Sequence, residues 1–142
     1  MIRTFRENDL TAVMQIWLDT NIKAHRFIQE EYWTANYAAV KEMLPQAEVY
    51  VYEDDATHQI AGFIGLTNNY IAGIFIEEAA RSKGIGKQLL SYVKEIKPVL
   101  RLNVYQKNVR AVAFYLREQF IIQSENLDES TNEKEFVMNW SK

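Results

Sequence analysis

Residues 81–90 read RSKGIGKQLL, where basic residues and two glycines lead directly into an apolar helical pattern. The first turn of a helix carries unpaired N–H groups and about half a positive charge. Gly84 and Gly86 have no side chain to obstruct an incoming oxygen. Three basic residues surround the same point: Arg81, Lys83 and Lys87. The stretch predicts a phosphate-binding turn at a helix start, and the alternative is a glycine-rich turn with solvated basic residues.

Two common nucleotide-binding motifs do not match this stretch. A P-loop requires Ser or Thr after its Gly-Lys pair and a glycine five residues before the second glycine. Here Gln88 follows Lys87, and Arg81 stands where the first glycine belongs. A dinucleotide-binding fingerprint requires a third glycine at the position of Leu89. The predicted phosphate compound is therefore bound by a different kind of motif.

Hydrophobic periodicity places this turn within a chain of alternating strands and helices. The predicted order is strand, two helices, three strands, helix, strand, helix and two strands, which is a mixed α/β single domain over residues 1–142. Asn8 or Asp9 is the predicted cap of the first helix. The strand at 70–78 is apolar on both faces and is predicted to be central and covered on both sides. The predicted inward positions of the last two helices are Ile85, Leu89, Val93 and Ile96, then Val109, Val112, Ala113 and Leu116.

Composition and charge exclude several classes of protein. The 142 residues are 48% hydrophobic, 25% charged and 13% aromatic, which is typical of a globular domain. The formal net charge of −3 argues against a nucleic-acid-binding surface. Cysteine is absent, so disulfides, thiolate metal sites and a cysteine nucleophile are excluded. No apolar run is long enough to span a membrane, and the first residues do not resemble a signal peptide, so we expect a soluble cytoplasmic protein. We also expect no bound metal.

The spacing of Arg81-Ser82-Lys83-Gly84-Ile85-Gly86 resembles the Arg/Gln-x-x-Gly-x-Gly/Ala motif of the GCN5-related N-acetyltransferase (GNAT) superfamily. A second stretch, LNVYQKNVRAVAFYLREQF at 102–120, resembles the family's next block, in which a strand and an asparagine precede a helix ending in Phe-Tyr. The order of elements fits as well, so the resemblance covers essentially all of residues 1–140. Within the family, the chain is most similar to the small stand-alone bacterial enzymes.

The resemblance implies a fold and an activity. The implied fold has a central, mixed but largely antiparallel sheet of about seven strands, flanked by about four helices. The implied activity is transfer of an acetyl group from acetyl-CoA to a primary amine, by direct attack in a ternary complex and without a metal. The acceptor is a small molecule or a protein, and the enzyme is a monomer or a homodimer. A non-catalytic acyl-CoA-binding or regulatory domain is the alternative.

The resemblance also implies roles for individual residues. Ile74, Phe75 and Ile76 match the strand whose backbone pairs with the pantetheine arm. Residues 82–87, that is Ser82, Lys83, Gly84, Ile85, Gly86 and Lys87, match the pyrophosphate-binding turn, with Arg81 as its first basic position. Asn108 matches a residue that contacts the cofactor. Tyr115 matches the tyrosine that protonates the departing thiolate.

The sequence departs from the family pattern at three places. Ala79-Ala80 replace a pair that is often Asp-Tyr, in the loop before the turn. Gln119 replaces the glycine that commonly precedes the final aromatic residue. Glu77 and Glu78 lie past the end of their strand, so the family's catalytic glutamate has no clear match and the general base stays unassigned.

Candidates for the acceptor site are less specific. His25 lies between the first two helices and is either a base or hydrogen-bond partner in the acceptor pocket or an ordinary loop histidine. Four aromatic residues are candidates for the walls of that pocket, and core packing is the alternative for each: Phe27, Tyr32, Trp33 and Tyr70. Residues 124–135, SENLDESTNEKE, are either an acidic surface that attracts a cationic amine or a solvated hairpin loop.

Overall fold

The computed structural model describes all residues, 1–142, and forms one seven-stranded sheet with four helices. The strands are β1 (Ile2–Thr4), β2 (Glu48–Glu53), β3 (Ile60–Thr67), β4 (Tyr70–Ile76), β5 (Val99–Tyr105), β6 (Ile121–Asp128) and β7 (Glu133–Ser141). The helices are α1 (Leu10–Ala24), α2 (Glu30–Met43), α3 (Ile85–Ile96) and α4 (Val109–Arg117). Short 3-10 turns lie at Glu7–Asp9, Leu44–Gln46 and Glu78–Ala80. The predicted order of elements and the fold class are confirmed.

The sheet opens between its fourth and fifth strands. The strand order is β1-β2-β3-β4-β5-β7-β6, and every neighbouring pair is antiparallel except β4–β5. The parallel pair contains only two register positions, Tyr70–Arg101 and Ile71–Leu102. Beyond Ile71, the outer edge of β4 has no partner strand, so its backbone N–H and C=O groups on that side are available to a ligand.

A β-bulge lies where the two strands part. Leu66 pairs with Ile71 and Gly65 pairs with Gly73, so Ala72 is an extra residue in β4. A bulge bends its own strand and increases the local twist. The bend follows directly after the last β4–β5 pair, and it accounts for the divergence of the two strands.

Helices cover both faces of the sheet. Helices α1 and α2 pack on one face around Met14, Trp17 and Phe63, whereas α3 packs on the other around Leu89, Leu90 and Ile64. The predicted α3 stripe is buried at Ile85, Leu89 and Val93, and burial of each such side chain contributes about 1.5–3 kcal/mol. Ile96, in the last turn, is instead 47% exposed.

Three predictions of local packing are wrong. Asp9 does not cap α1, because its carboxylate accepts from the Arg6 backbone N–H at 2.8 Å and is held by the Arg3 guanidinium. β4 is the middle strand of the seven, as predicted, but it is not covered along its length; the strand buried along nearly its whole length is β3, since β4 loses its neighbour after Ile71.

The third error concerns the inward face of α4. Val109 is 73% exposed and Leu116 46% exposed, and Ala113 also faces solvent. The helix instead turns Ala111, Phe114 and Tyr115 inward, and Val112 is half-buried. Aromatic side chains bury more area than Val or Ala, so they determine which way this short helix faces.

Candidate active site

A cavity of about 780 Å³ follows the gap between β4 and β5. Its walls come from the free end of β4, the turn before α3, the inward face of α4 and the last turns of α1. Most of the predicted cofactor-binding residues line it: Ile74, Phe75, Ile76, Arg81, Ser82, Gly84, Ile85, Gly86, Lys87 and Asn108. Tyr115 and His25 line the same cavity. Residues that lie far apart in the sequence are thus brought together around one space.

The turn before α3 has the geometry of an anion-binding site. Ser82 and Gly84 adopt left-handed backbone conformations, with φ of 66° and 78°. Gly84 precedes the first helical residue, and no side chain caps the helix, so the N–H groups of the first turn are free. A Cβ built on Gly86 would lie 3.5 Å from the Phe114 ring, in space that otherwise belongs to the cavity. The site therefore fits a phosphate group that approaches the backbone closely.

The cavity is also strongly basic. Four cationic side chains line it, and a single carboxylate, that of Glu118, accompanies them; the four are Arg81, Lys87, Arg110 and Arg117. Lys83 is exposed and does not line the cavity. It lies instead near Asp54, whose pKa is lowered mainly by backbone hydrogen bonds to the carboxylate and to a smaller extent by the charge of Lys83. Arg110 and Arg117 were missed from the sequence, although their spacing of seven residues places them on one face of α4.

Asn108 connects the start of α4 to the end of α1. Its Oδ1 accepts from the Ala111 backbone N–H at 3.2 Å, which caps α4. This fixes the orientation of the amide, so that Nδ2 faces Nε2 of His25 at 3.2 Å. Asn108 is therefore held rigidly at one wall of the cavity.

Tyr115 lies two turns further along the same helix. It is only 7% exposed and packs between Phe114 and Phe120, with ring centroids at 5.2 and 5.5 Å. Burial, and next the Tyr70 hydroxyl, raise the pKa of Tyr115 well above its ordinary value, and no hydrogen bond engages its hydroxyl. The side chain thus presents a protonated, unpartnered O–H group to the cavity.

His25 belongs to an aromatic cluster at the end of the cavity formed by the last turns of α1. Its ring stacks on Trp33 at 5.3 Å and meets the edges of Phe27 and Tyr105 at 5.6 and 5.1 Å. Burial lowers the pKa of His25 to about 4, so the ring is neutral near pH 7. With Nε2 engaged by Asn108, the structure favours a hydrogen-bonding role for His25 over a role as base.

The remaining acceptor candidates lie on the sheet face beside this cluster. Tyr32 reaches from α2 to the β6–β7 turn, where its hydroxyl lies 3.1 Å from Oγ of Ser130. Tyr70, at the start of β4, lies outside the cavity lining and holds the Arg101 guanidinium 5.6 Å from its ring centroid. The acidic stretch 124–135 is not a simple loop, because residues 124–128 belong to β6 and 133–135 to β7.

Polar residues of β5 and the β6–β7 hairpin were missed from the sequence. Tyr105 donates from its hydroxyl to Asp128 at 2.6 Å, and Asn103 donates to Glu135 at 3.2 Å. Arg101, Asn103 and Tyr105 alternate along β5, so the two-residue period of a strand indicates their shared face. Their partners on β6 and β7 depend on strand register, which the local sequence does not contain.

Comparison with known proteins identifies the family. The family model described as Acetyltransferase (GNAT) domain matches residues 45–122, which include the free edge of β4, the turn before α3 and all of α4. The chain belongs to the GNAT acetyltransferase family. The family and the enzyme class predicted from the sequence, an N-acetyltransferase, are both confirmed.

Individual relatives extend the similarity along the whole chain. The chain is 32% identical to the peptidyl-lysine N-acetyltransferase YiaC of Escherichia coli, over 99% of this chain and 96% of the relative. The solution structure of apo-form YjaB from Escherichia coli superposes with a TM-score of 0.87 at 25% identity, covering 99% of this chain and 96% of that one. The fold also matches yncA of Salmonella typhimurium, solved with its cofactor acetyl-CoA, with a TM-score of 0.68 at 15% identity over 99% and 92% of the two chains.

Two further features of the chain concern membranes and metals. No helix is both long enough and apolar enough to cross a membrane. No group of three or more histidine, cysteine, aspartate or glutamate side chains is arranged to hold a metal ion.

Proposed function

We propose that this GNAT enzyme transfers the acetyl group of acetyl-CoA to the side-chain amine of lysine residues in proteins. The observation that carries the proposal is one cavity that joins an anion-binding turn, an unpaired strand edge and the free hydroxyl of Tyr115. The similarity to YiaC, which is named a peptidyl-lysine N-acetyltransferase, supports the choice of acceptor.

The residues of the cavity suit the parts of acetyl-CoA in order. The N–H groups at the start of α3, with Arg81 and Lys87, bind the pyrophosphate. The free edge of β4 from Ile74 to Ile76 pairs with the amide groups of the pantetheine arm, as an added strand would. Asn108 lines the wall at the acceptor end of this path, and the thioester lies near Tyr115.

Both substrates occupy the enzyme together in this proposal, and the amine attacks the thioester carbonyl directly. Attack forms the C–N bond, and collapse of the tetrahedral intermediate breaks the C–S bond. Tyr115 donates its proton to the departing sulfur, and the phenolate then takes a proton from the new amide nitrogen. The Tyr115 hydroxyl is protonated at neutral pH, as a general acid must be, and burial, which raises its pKa, makes it a weaker proton donor until charge develops on the sulfur beside it.

The test combines a binding and a transfer measurement. Calorimetry with acetyl-CoA should show binding to the parent and none to Gly86→Glu, because the new side chain brings bulk and negative charge into the turn. The fold should persist in that variant, since the added Cβ makes only an ordinary contact with Phe114. A Gly86→Ala variant controls for the contact alone.

Transfer is then followed by mass spectrometry on a peptide with a blocked N-terminus and one lysine, beside a matched peptide with norleucine in its place. Acetylation of the lysine peptide alone is the expected result. Acetylation of polyamines or amino acids in preference to the lysine peptide contradicts the acceptor class. Binding of acetyl-CoA without thiol release from any amine indicates a non-catalytic acyl-CoA-binding domain instead.

A further inference from the structure

The acceptor amine must lose a proton before it attacks, because a lysine amine has a pKa of about 10.4 and is charged at neutral pH. The cavity itself offers no evident base. His25 is neutral with a pKa of about 4 and has Nε2 occupied, and Glu118 lies among the basic residues of the anion-binding side. A base for the amine is therefore to be found on the other side of the gap between β4 and β5.

One face of the sheet beside this gap is only partly covered by the helices. Tyr70 pairs with Arg101 beside the gap, and Tyr105, four residues further along β5 on the same face, contacts His25 of the aromatic cluster. Glu135 of β7 stands directly opposite Tyr105 in the antiparallel register, so its side chain projects from the same face. Helix α1 packs on β3 and β4, and the residues of β5 and β7 on this face are half-buried or exposed.

Glu135 is held in place and yet has one free oxygen. The amides of Asn103 and Asn126 donate to the same atom, Oε1, at 3.2 and 3.1 Å. No donor of the protein engages Oε2, and Glu135 takes part in none of the ion pairs of the chain. Three other half-buried glutamates, Glu48, Glu53 and Glu133, each have a basic partner, whereas Glu118 at the end of α4 has none. A half-buried carboxylate whose partners are two neutral amides has no counter-charge within the protein, so it can bind a cation from outside the chain.

Asp128, the neighbouring carboxylate, is already saturated. Its Oδ2 accepts from the Tyr105 hydroxyl at 2.6 Å, and its Oδ1 accepts from the backbone N–H and the hydroxyl of Ser130 at 3.0 and 2.6 Å. Burial is the largest single effect and acts to raise the pKa of Asp128, but the hydrogen bonds together outweigh it and lower the pKa. A carboxylate with both oxygens engaged is a structural anchor and a poor proton acceptor.

Tyr70 and Tyr115 connect this face to the cavity. The two side chains lie on opposite faces of the sheet, and the Tyr70 hydroxyl contributes, after burial, to the raised pKa of Tyr115. Burial, and next the charge of Glu135, raise the pKa of Tyr70 itself, whereas the Arg101 cation opposes them. The Tyr115 hydroxyl therefore lies near the gap on the side of the cavity, and Tyr70 lies near it on the side of Glu135.

We propose that Glu135 binds the ammonium group of the acceptor through Oε2 and accepts its proton. One N–H bond of the ammonium breaks, the proton passes to Oε2, and the nitrogen keeps the electron pair that attacks the acetyl carbonyl. Tyr115 then supplies the proton for sulfur as described above, and the carboxylic acid of Glu135 releases its proton to water after the product leaves. One proton is released per turnover. This inference rests on the proposed function, since it assigns the base for that reaction.

The test compares Glu135→Gln with the parent and with a matched control. Glutamine keeps the size and the hydrogen bonds to Asn103 and Asn126 in one amide orientation but cannot accept a proton. Glu125→Gln makes the same charge change on β6, where Glu125 is exposed, pairs with Phe136 and projects from the opposite face. The control should keep the activity of the parent.

At pH 7 we expect Glu135→Gln to lower kcat/KM for the lysine peptide about 100-fold, within the usual range for a general base. The loss should shrink to about tenfold or less at pH 9, where more of the amine is already deprotonated. The groups that face Glu135 are Tyr70, Arg101, Asn103, Tyr105, Asn126 and Asp128, and none of them changes charge between pH 7 and 9 if Tyr70 and Tyr105 keep their raised pKa values. Acetyl-CoA affinity should be unchanged.

Two results would overturn the inference while the proposed function stands. The first is a Glu135→Gln variant whose kcat/KM stays within about threefold of the parent at pH 7. The second is a loss that is equal at pH 7 and pH 9 and accompanied by a lower melting temperature, which indicates a structural role. A parent enzyme that binds acetyl-CoA but acetylates no amine overturns the proposed function and the inference together.

Discussion

The side-chain amide of Asn108 and the imidazole of His25 lie 3.2 Å apart, although 83 positions separate them in the chain. Because Oδ1 of Asn108 caps α4, Nδ2 is the atom that donates to His25, and the imidazole accepts through a neutral Nε2. Its Nδ1 is buried beside the Asn21 carbonyl without a hydrogen bond of good geometry. The contact fixes the C-terminal end of α1 against the start of α4 at the wall of the cavity.

Burial of a neutral His25 predicts a loss of stability in mild acid. The pKa falls from an ordinary 6.5 to about 4 on folding, so the unfolded chain binds a proton before the folded one does. The contribution is therefore complete above about pH 6.5 and is lost as the pH falls toward about 4. At about 1.4 kcal/mol per pH unit, the fall from 6.5 to about 4 corresponds to about 3 kcal/mol of stability. Because the ring is partly solvated, we expect a loss of about 2 kcal/mol.

Urea denaturation between pH 7 and 4 measures this effect. The free energy of unfolding of the parent should fall across that window, and a His25→Gln variant should show a flatter profile there. Equal slopes for parent and variant would show that His25 is protonated in the folded protein as well.

The positions of Arg81 and Lys83 predict different effects on coenzyme A. Arg81 lines the cavity, whereas Lys83 points to solvent on the side of Asp54. Arg81→Gln should weaken binding of coenzyme A several-fold, since a charge near a helix start contributes about 0.3–1 kcal/mol when exposed and up to ~2 when partly buried. Lys83→Gln should have less effect.

Calorimetry with coenzyme A and with pantetheine, which lacks the diphosphate, separates charge from shape. Arg81→Gln should leave pantetheine affinity unchanged. If Lys83→Gln costs as much as Arg81→Gln, the placement of the pyrophosphate relative to these side chains is wrong.

The unpartnered hydroxyl of Tyr115 predicts a variant with impaired chemistry and intact structure. Tyr115→Phe keeps the ring between Phe114 and Phe120 and removes only the proton donor. We expect kcat to fall about 100-fold, at the lower end of the range for general acid catalysis because a thiolate is a fair leaving group. Acetyl-CoA affinity and melting temperature should stay near those of the parent, since no hydrogen bond is lost.

Steady-state kinetics on the lysine peptide provide the measurement. A kcat within about threefold of the parent, worth only ~0.7 kcal/mol in barrier, would exclude Tyr115 as the acid. A parallel fall of affinity and melting temperature would identify it as a packing residue.

Gln119 is a site where a glycine is expected to stabilise the protein. It follows the C-terminal end of α4 with a φ of 76°, a left-handed conformation that costs a residue with a Cβ about 1 kcal/mol. Gln119 is exposed and so contributes little packing. Gln119→Gly should raise the free energy of unfolding by up to about 1 kcal/mol, less the entropy that glycine gains in the unfolded chain.

Thermal unfolding of this variant, beside Ser124→Gly at an exposed and paired position of β6 as a control, measures the difference. The control should destabilise, because glycine weakens a strand. Destabilisation by Gln119→Gly as well would show that α4 ends with a different backbone geometry. Gln119 thus stands where the family commonly has a glycine, and the chain still makes the turn after α4.

Local sequence was sufficient for the features that depend on a few neighbouring residues. The anion-binding turn requires Gly84 and Gly86 next to a helix start, and both are adjacent in the chain. The order of strands and helices follows from periods of two and 3.6 residues, and the structure reproduces it.

Features set by contacts distant in the chain were not accessible in the same way. The apolar pattern of α4 favoured Val109 and Leu116 as inward positions, but the bulk of Phe114 and Tyr115 rotated the helix over the gap. The pairing of Glu135 with Asn103 and Asn126 requires the registers of three strands. Sequence alone could not find it, because a shift of one residue would move Glu135 to the other face.

The extra residue Ala72 sets a balance between the stability of the sheet and its capacity to bind a ligand. A β4 strand without it would keep the Leu66–Ile71 and Gly65–Gly73 pairs and would run on beside β5, satisfying more backbone groups internally. The sheet would then be closed and more stable, but the cofactor cleft would be gone. The backbone groups at the free edge of β4 lack partners until a substrate binds to them. Acetyl-CoA is therefore expected to raise the thermal stability of the enzyme as it completes the sheet.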